Sequence, residues 1–553
     1  MNKSGCIERN EKDVVQITKE FPHQTPKRAI ILAAGFGTRM VPINTKVPKG
    51  LLEVHGEPLI ERTIKQLHEV NIKEIYIVVG FMKEAYEYLI RQYEVELIEN
   101  PIYMVKDNLH SLKCVLEYLS DSYIIPSDIW CGRNPYHFQE SHSWYRTNGA
   151  AVSGSVVRIN QETGSDSGYD FADGNVMTGI CYLMEREAEK VRKRVVELCK
   201  DIRYDAACWE SALYQDGKMI LEADVFCPAD MVEINTYEQL RGLDRASRHL
   251  KTKAIEVICK TLGVSVDDIT DITALTKGMT NRSFCFICNG KKYIMRIPGE
   301  GTEQLINRRQ EAAVYETIGG KGICDNIIYI NSENGYKITE FLEDARVCDA
   351  MDENDIEKCM QRLRVFHEMK LEVDHEFAIF DQIEFYETLW GDRASAYMDY
   401  QETKKQVFSL KEYIDAHVNE RVLTHMDAVP DNFLFTKRSG EEEILLIDWE
   451  YAGMQDPHVD VAMFCIYSFY DRKWVDRLIA AYFQGKCSDE NRIKIYCYIA
   501  ACGLLWSNWC EYKKICGIDF GEYALWQYRY AKDYYKIVQD ELWKLEEKKS
   551  SQR

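Results

Sequence analysis

Two architectures in one chain are what the sequence predicts: an α/β unit built on a mixed sheet, then an α+β unit of two lobes. Three observations carry this. The run AIILAAG (29–35) is continuously apolar, as in a strand buried on both faces of a parallel sheet, and strand-like and helix-like segments alternate after it. From residue 273 strand-like runs meet at Asn289-Gly290, a hairpin signal, and a helix follows. Beyond about residue 343, helical and aromatic-rich segments surround one stretch, Val422 to Asp460, where polar residues are set singly against apolar runs.

At 553 residues the chain has room for three or four domains, each able to bury a core. Its formal charge of −20 argues against a nucleic-acid surface and suits small cationic ligands. Nineteen cysteines are scattered without a ligand framework, and MNKSGCIERNEKD lacks the apolar centre of a signal segment, so a reducing cytoplasm is the expected location. Cys285 and Cys288 form a CxxC inside a strand-like run, where they would face opposite sides, so core packing is expected of them. The apolar run IAACGLLW (499–506) is too short to span a membrane and reads as a buried helix; no membrane insertion is expected.

In chain order, residues 1–27 are polar and read as an entry segment. After the first apolar run, Gly35 and Gly37 would let backbone amides approach phosphate oxygens, while Arg39 and Lys49 add fixed positive charge. A dinucleotide fingerprint would need a third glycine where Met40 stands, and no Walker-type Lys-Ser or Lys-Thr follows, so the loop is a triphosphate cradle of another kind. L-A-A-G-x-G-T-R-M (32–40) with P-K-x-L (48–51) resembles the signature of nucleotidyltransferases that make sugar nucleotides and CDP-choline. The resemblance implies a Rossmann-like mixed sheet, nucleotide contacts at Ala33, Ala34, Gly35 and Gly37, and catalytic roles for Arg39 and Lys49.

The alternation then predicts a helix over 58–70, strands at 74–80 and 95–100, a helix around 109–119 and a strand over 122–130. Asp128 falls at the carboxyl end of that last strand, where open α/β sheets put their ligands. In the resembling family the Asp at this position holds the catalytic Mg²⁺, and Asn108 and Ser111, in KDNLHSL, match its N-x-x-S-L stretch beside the nucleotide. Further strands are expected at 150–158, 176–184 and 220–226, and CWESAL (208–213) resembles the family's W-D/E segment. DMVEINTYEQL (230–240) resembles its closing E-x-D-T element, which implies metal-side roles for Glu233 and for Asn235, the latter standing where the family has Asp. In an extended segment these two would face the same side. Trp144 is the candidate for a phosphocholine headgroup.

A charged, helix-prone run (236–263) joins this unit to the next, with helix expected across much of it and a boundary near 247. That gives an extension (1–27), a first domain (28–247) and a second (248–553), its lobes covering about 248–342 and 343–553. Arg296 occupies the strand position of a kinase lysine, and Glu311 on the following helix is its expected partner. A hinge is expected at KITEFLED (337–344). H-x-D-x-x-x-x-N from His425 to Asn432, followed by Asp448 at the end of an apolar run, is kinase-type wiring. A hydroxyl is a poor nucleophile beside a triphosphate, so such a site needs one carboxylate at the hydroxyl, here Asp427, and oxygen ligands for Mg²⁺, here Asn432 and Asp448.

G-M-T-N (278–281), I-M-R-I-P-G-E-G-T-E (294–303), the H-x-D-x-x-x-x-N stretch, I-D-W-E-Y-A-G (447–453) and W-S-N-W (506–509) resemble bacterial choline kinases over residues 252–545. The resemblance implies a bilobal, protein-kinase-like α+β domain, with Asn281 near the nucleotide and Glu450 on the substrate side. A quaternary ammonium has no proton to donate, so aromatic faces are its expected partners, and Trp506, Trp509 and Tyr528 resemble the family's cage. Aromatic residues at this helical spacing are also ordinary core. The whole chain thus resembles a phosphocholine cytidylyltransferase fused to a choline kinase: choline and ATP would give phosphocholine, and CTP would convert it to CDP-choline and pyrophosphate, both with Mg²⁺. Ethanolamine as substrate, a sugar nucleotidyltransferase fused to an aminoglycoside-type kinase, and a nucleotide-binding regulator with an inactive first site are the alternatives.

Overall fold

The computed structural model describes residues 24–43, 47–103, 106–147, 151–152, 174–215, 218–226, 230–275, 281–299, 302–438, 440–516 and 518–551. Within it, Arg28–Ala33 is a strand whose first residue aligns with Glu74 on one side and Ser122 on the other, both in parallel ladders. Its side chains alternate between two cores. Ala29, Ile31 and Ala33 pack with Ile60 and Ile64, while Ile30 and Leu32 pack with Leu109 and Val191. A strand covered on both faces has no polar side, which is why this run is apolar throughout.

The seven-stranded sheet runs in the order Glu222–Val225, Trp144–Thr147, Cys181–Leu183, Ser122–Pro126, Arg28–Ala33, Glu74–Val79, Glu96–Glu99. Cys181–Leu183 is antiparallel to both neighbours, so the sheet is mixed as expected. Helices α1 (Leu59–Glu69), α2 (Tyr88–Tyr93), α3 (Asn108–Lys113) and α4 (Glu185–Leu198) accompany it. The helix expected to residue 119 ends at Lys113 and continues only as a 3₁₀ turn, Leu116–Tyr118. The strand expected over 122–130 is broken at Ser127-Asp128 into Ser122–Pro126 and Ile129–Cys131, and the second piece pairs with Met231–Glu233. Pro126 has no amide hydrogen to extend the ladder, which makes it a natural end. Of the strand expected at 150–158, Ala151–Val152 is a strand and residues 153–158 lie outside the described residues.

The chain packs as two units. One comprises residues up to Gly35, Lys49–Leu51 and Glu57–Glu233; the other comprises Phe36–Pro48, Leu52–Gly56 and Ile234–Arg553. The sequence-based boundary near 247 falls inside the second. The joining run is two helices, α5 (Tyr237–Leu243) and α6 (Lys253–Leu262), rather than one. Asp244 ends α5 in an extended conformation, and its carboxylate accepts from the amides of His55 and Ala246.

The small lobe of the second unit is a five-stranded antiparallel sheet in the order Ile269–Leu275, Asn281–Cys288, Lys291–Pro298, Lys337–Glu340, Ile327–Ile330. Asn289 (φ 51°) and Gly290 (φ 73°) turn its central hairpin, the left-handed pair that an Asn-Gly hairpin requires. Cys285 and Cys288 are both buried in its packing. Helix α7 (Arg308–Ile318) follows, and Lys337–Glu340, expected as part of a hinge, is a strand.

The large lobe contains α8 (Glu353–Glu368), α9 (Ile379–Thr388), α10 (Tyr400–Ser409), α11 (Lys411–His417), α12 (His458–Tyr467), α13 (Arg472–Tyr482), α14 (Asp489–Ile515) and α15 (Glu522–Ser551). Between α11 and α12 the chain makes the pair Val422–Thr424 with Gly453–Gln455 and the hairpin Phe433–Arg438 with Glu441–Leu446. IAACGLLW is the middle of α14, a helix buried nearly all round. At Gly503 the neighbouring helix comes so close that a Cβ would stand 2.7 Å from the Gln527 carbonyl oxygen. Among the described residues no helix is long and apolar enough to cross a membrane.

Candidate active sites

In the first unit, Lys49 Nζ donates to Asp128 Oδ2 at 2.9 Å, and each side chain is 13% exposed. Lys49 opens a 3₁₀ turn whose Gly50 sits against the Ser127-Asp128 turn; a Cβ there would stand 3.1 Å from Ser127 Cβ. The P-K-G sequence is therefore a close-packing requirement that holds the lysine on the aspartate. Glu233 is the last residue of its strand and lies opposite Ile129, next to Asp128. Carboxylates are the oxygen donors Mg²⁺ takes, and Asp128 and Glu233 are the residues here that could supply them. In CWESAL, Glu210 is buried and accepts from the Tyr145 hydroxyl at 2.9 Å; burial pushes it up to about 7.

Several expected residues in this unit have other duties. Asn108 Oδ1 accepts from the Trp209 amide at 2.7 Å, which ties α3 to the 3₁₀ turn Trp209–Leu213. The Ser111 hydroxyl is buried and accepts from Asn100, which follows the Glu96–Glu99 strand, at 3.1 Å. Ala33 and Ala34 are buried. Trp144 is not open to a headgroup. It is 3% exposed, its indole donates to Glu140 at 2.9 Å, and the Arg146 guanidinium lies 4.5 Å over its ring, so it is core.

Gly37, Arg39 and Asn235 pack with the second unit. Gly37 is left-handed (φ 69°), which explains the glycine. Arg39 Nη2 donates to Asn235 Oδ1 at 3.1 Å, and the Asn235 amide donates to Gln239 at 2.7 Å. Asn235 lies beyond the strand that ends at Glu233, so the expected shared strand face for Glu233 and Asn235 is not formed. Its carbonyl oxygen serves an arginine here, not a cation site.

In the second unit the catalytic loop leaves Val422–Thr424 and re-enters Phe433–Arg438. Met426 (φ 64°) and Asp448 (φ 67°) are left-handed non-glycine residues flanking the site, a strained arrangement that surrounding bonds must hold. Asp460, fully buried at the start of α12, accepts from the amides of His425 (2.8 Å) and Met426 (2.7 Å), and His367 on α8 bonds it at 3.0 Å. His425 is held near neutral by burial, pushed down to about 4, with Nε2 bonded to the Ile447 carbonyl. Asn432 Nδ2 donates to the Asp427 carbonyl (2.9 Å) and carboxylate (3.1 Å), which turns its amide oxygen away from Asp427.

Burial, then the charges of Asp448 and Glu450, pushes Asp427 up to about 8. Burial likewise raises Asp448, against the pull of Lys337 and Arg296. Carboxylates that repel one another are what a divalent cation relieves, and Asn432 with Asp448 offers the oxygen donors. Among the described residues no three acidic, thiol or imidazole groups converge as a metal site by themselves, so phosphate oxygens would complete the shell.

Arg296 pairs with Glu311 through two bonds, 2.5 and 2.9 Å, as expected. Glu311 is pushed down to about 2: burial opposes this, and the Arg296 charge outweighs it. Lys337, opposite Arg296 in the sheet and bonded to the Tyr315 hydroxyl at 2.6 Å, is a further buried cation that the hinge reading concealed. Glu450 accepts from Asn281 (3.0 Å) and Arg308 (3.3 Å). One expectation needs correction. Tyr528 is not in the cage: its hydroxyl bonds Asp399 and Thr403, and its ring stacks on Tyr397 at 3.7 Å.

The aromatic cluster that does form joins Tyr451, Trp506, Trp509 and Phe520, with successive centroids 5.3, 5.5 and 5.0 Å apart. Burial, with the Asp427 charge among the further causes, raises the phenols of Tyr386, Tyr451, Tyr467 and Tyr523, which marks these rings as neighbours of the catalytic carboxylate. One face of Trp509 already carries the Lys513 ammonium, 5.5 Å from its centroid. Tyr451 follows Glu450 directly and could have been read from the I-D-W-E-Y motif; Phe520 and Tyr523 carry no sequence signal.

A mixed α/β sheet with a lysine on a strand-end aspartate, and a bilobal domain with a kinase-type loop, define a nucleotide-dependent transferase of two catalytic types. Residues 29–130 match the family model described as MobA-like NTP transferase domain, and residues 272–496 match choline/ethanolamine kinase. The choline-phosphate cytidylyltransferase of Streptococcus pneumoniae is 30% identical over 229 residues, 39% of this chain and 96% of that protein. Protein LicA of Haemophilus influenzae is 25% identical over 265 residues, 45% of this chain and 95% of its own length. The crystal structure of choline kinase LicA from Streptococcus pneumoniae aligns at 29% identity, covering 51% of this chain and 98% of that one, with a TM-score of 0.45. Through its first part the chain belongs to the choline-phosphate cytidylyltransferase family, and its second part is similar to choline/ethanolamine kinases.

Proposed function

We propose that the second unit phosphorylates choline with ATP and that the first transfers CMP from CTP to the phosphocholine, releasing pyrophosphate. The observation that carries this reading is Asp427, a part-buried carboxylate bonded by Asn432, raised in part by the charge of Asp448, and itself acting on Tyr451, the first ring of the cluster that continues through Trp506 and Trp509. Choline's hydroxyl must lose a proton as it attacks, and a carboxylate with a raised pKa is suited to accept it. The aromatic faces favour a quaternary ammonium over a primary one, which would ask for carboxylates instead.

The first unit needs no such base, because a phosphate monoester is mostly doubly ionised above its second pKa of about 6. It needs positive charge on the triphosphate, and Lys49 is the residue of this unit suited to supply it. When bound, Mg²⁺ would neutralise phosphate charge, held by Asn432 and Asp448 in the second unit and by Asp128 and Glu233 in the first. Incubation of the full chain with choline, ATP, CTP and Mg²⁺ should produce CDP-choline detectable by mass. Omitting CTP should stop the sequence at phosphocholine. Absence of phosphocholine under those conditions would sink the kinase assignment, and absence of CDP-choline from supplied phosphocholine would sink the transferase assignment.

A further inference from the structure

Helix α12 ends in a way that neither its backbone nor its burial explains. Ser468 is its C-cap, Phe469 follows in the left-handed region at φ 54°, and the Tyr470 amide closes the turn on the Cys465 carbonyl at 3.3 Å. A side chain with a Cβ is strained in that conformation, and glycine or asparagine is the usual occupant. Helices α1, α8 and α13 take the same step with Asn71, Lys370 and Gln484, all polar and exposed. At α12 the residue is a phenylalanine, and 45% of it is exposed. A ring held in strain and left half in water is not accounted for by core packing.

Its surroundings lead to the catalytic carboxylate. Phe469 meets the Tyr523 ring edge-on, with centroids 6.0 Å apart at 79°, and the Trp526 ring at 6.0 Å. Tyr523 in turn meets Phe520 at 6.3 Å and Tyr467 at 6.1 Å. Phe520 joins this group to the Trp509 end of the aromatic cluster, and the Tyr523 and Tyr467 phenols both feel the Asp427 charge. The Tyr467 hydroxyl donates at 2.7 Å to Asp431, an exposed carboxylate one residue before Asn432. Trp526 is also half exposed, but the Arg529 guanidinium lies 5.4 Å from its centroid, so that ring already serves a cation. Among the described residues no lysine or arginine cation stands over Phe469. An exposed aromatic face near a carboxylate, continuous with a buried aromatic cluster, is the chemistry that attracts a quaternary ammonium.

Resting on the kinase reading, we propose that Phe469, with Asp431 beside Tyr467, forms an outer station for the quaternary ammonium of choline at the mouth of the site. The cation meets the Phe469 face first and passes to Tyr451, Trp506 and Trp509 inside. The ring therefore contributes to capture of choline and not to the chemical step or to ATP.

The test compares wild type with Phe469→Leu, Phe469→Tyr and Phe469→Asn in the full chain. Leucine keeps an apolar side chain without an aromatic face, tyrosine keeps the face, and asparagine suits the left-handed backbone. Choline kinetics, calorimetric choline binding and thermal unfolding are measured beside the kinetics of the neutral alcohol that carries a tert-butyl group in place of the trimethylammonium. Phe469→Leu and Phe469→Asn should lower kcat/KM for choline by about two- to fivefold, the worth of a cation–π contact at an exposed site, and weaken its binding alike. The Phe469→Tyr variant should match wild type, and in every variant kcat for choline, KM for ATP and kcat/KM for the neutral alcohol should hold their wild-type values. Phe469→Asn should unfold within about 2 °C of wild type, because relief of backbone strain offsets the lost contacts. Should it not fold, the Leu and Tyr variants still decide. Wild-type choline kinetics in Phe469→Leu, equal losses for choline and the neutral alcohol, or a KM for ATP that moves as far as that for choline would each overturn the proposal. If wild type binds choline yet does not phosphorylate it, the kinase reading fails while the calorimetric arm still decides the role of Phe469. Wild type that binds no choline overturns both.

Discussion

The acid at the centre of each unit lives in opposite surroundings. Asp128 is matched by the Lys49 ammonium at 2.9 Å. Asp427 has like charges for neighbours, an amide for its partner, and a pKa pushed up to about 8 by burial and by Asp448 and Glu450. The difference follows the chemistry proposed for each. A site that must take a proton from a hydroxyl gains from a carboxylate that holds protons well, whereas a site whose nucleophile is already ionised gains from charge balance around a triphosphate.

The sharpest test of this contrast is to exchange the defects. Asp427→Asn should lower choline phosphorylation by roughly 10² to 10⁴, the range for general-base loss, and leave cytidylyl transfer from supplied phosphocholine nearly intact. Lys49→Ala should do the reverse, by roughly 10² or more, as expected for a lost charge-stabilising donor. One substitution silencing both activities in a folded chain would show that the sites are not independent.

Next in size are the two residues of the closing element. Glu233→Ala should cost the transferase about tenfold or more, because it removes a carboxylate beside Asp128, whereas Asn235→Ala removes one hydrogen bond to Arg39 and should cost only a few-fold. Steady-state rates over a Mg²⁺ titration would separate them, and a larger loss at Asn235 would return it to the cation site.

Among the rings, Trp506→Ala should weaken choline by roughly 0.5 to 2 kcal/mol, with a smaller loss at Trp509, one face of which is taken by Lys513. Tyr528→Phe and Trp144→Phe should leave affinities for choline and phosphocholine within about twofold, as for groups remote from ligand. Choline KM and phosphocholine KM are the measurements, and a strong effect at Tyr528 would contradict its bonding to Asp399 and Thr403.

The smallest expected effect is on pH profiles. Asp427 works as a base only when ionised, so kinase kcat/KM should rise with pH toward about 8, and saturating Mg²⁺ should move that limb to lower pH because the cation favours the carboxylate. The transferase limb should instead follow the second phosphate ionisation near about 6. Coincident limbs at all Mg²⁺ concentrations would erase the contrast.

Local sequence was enough to specify the doubly buried first strand and the Asn-Gly hairpin, where the determinant is short-range: an apolar run or a left-handed turn. The Arg296–Glu311 pair and the spacing from His425 to Asp448 were legible only as a pattern of residue types along the chain. Tertiary structure decided what distant residues do. Trp144 and Tyr528 have the residue types that a ligand site wants, but burial against Glu140 and Asp399 assigns them elsewhere. Tyr451, Lys337 and Arg308 enter their sites because strands and helices far apart in sequence converge there, and side-chain direction across such a junction is set by packing, which no spacing rule encodes.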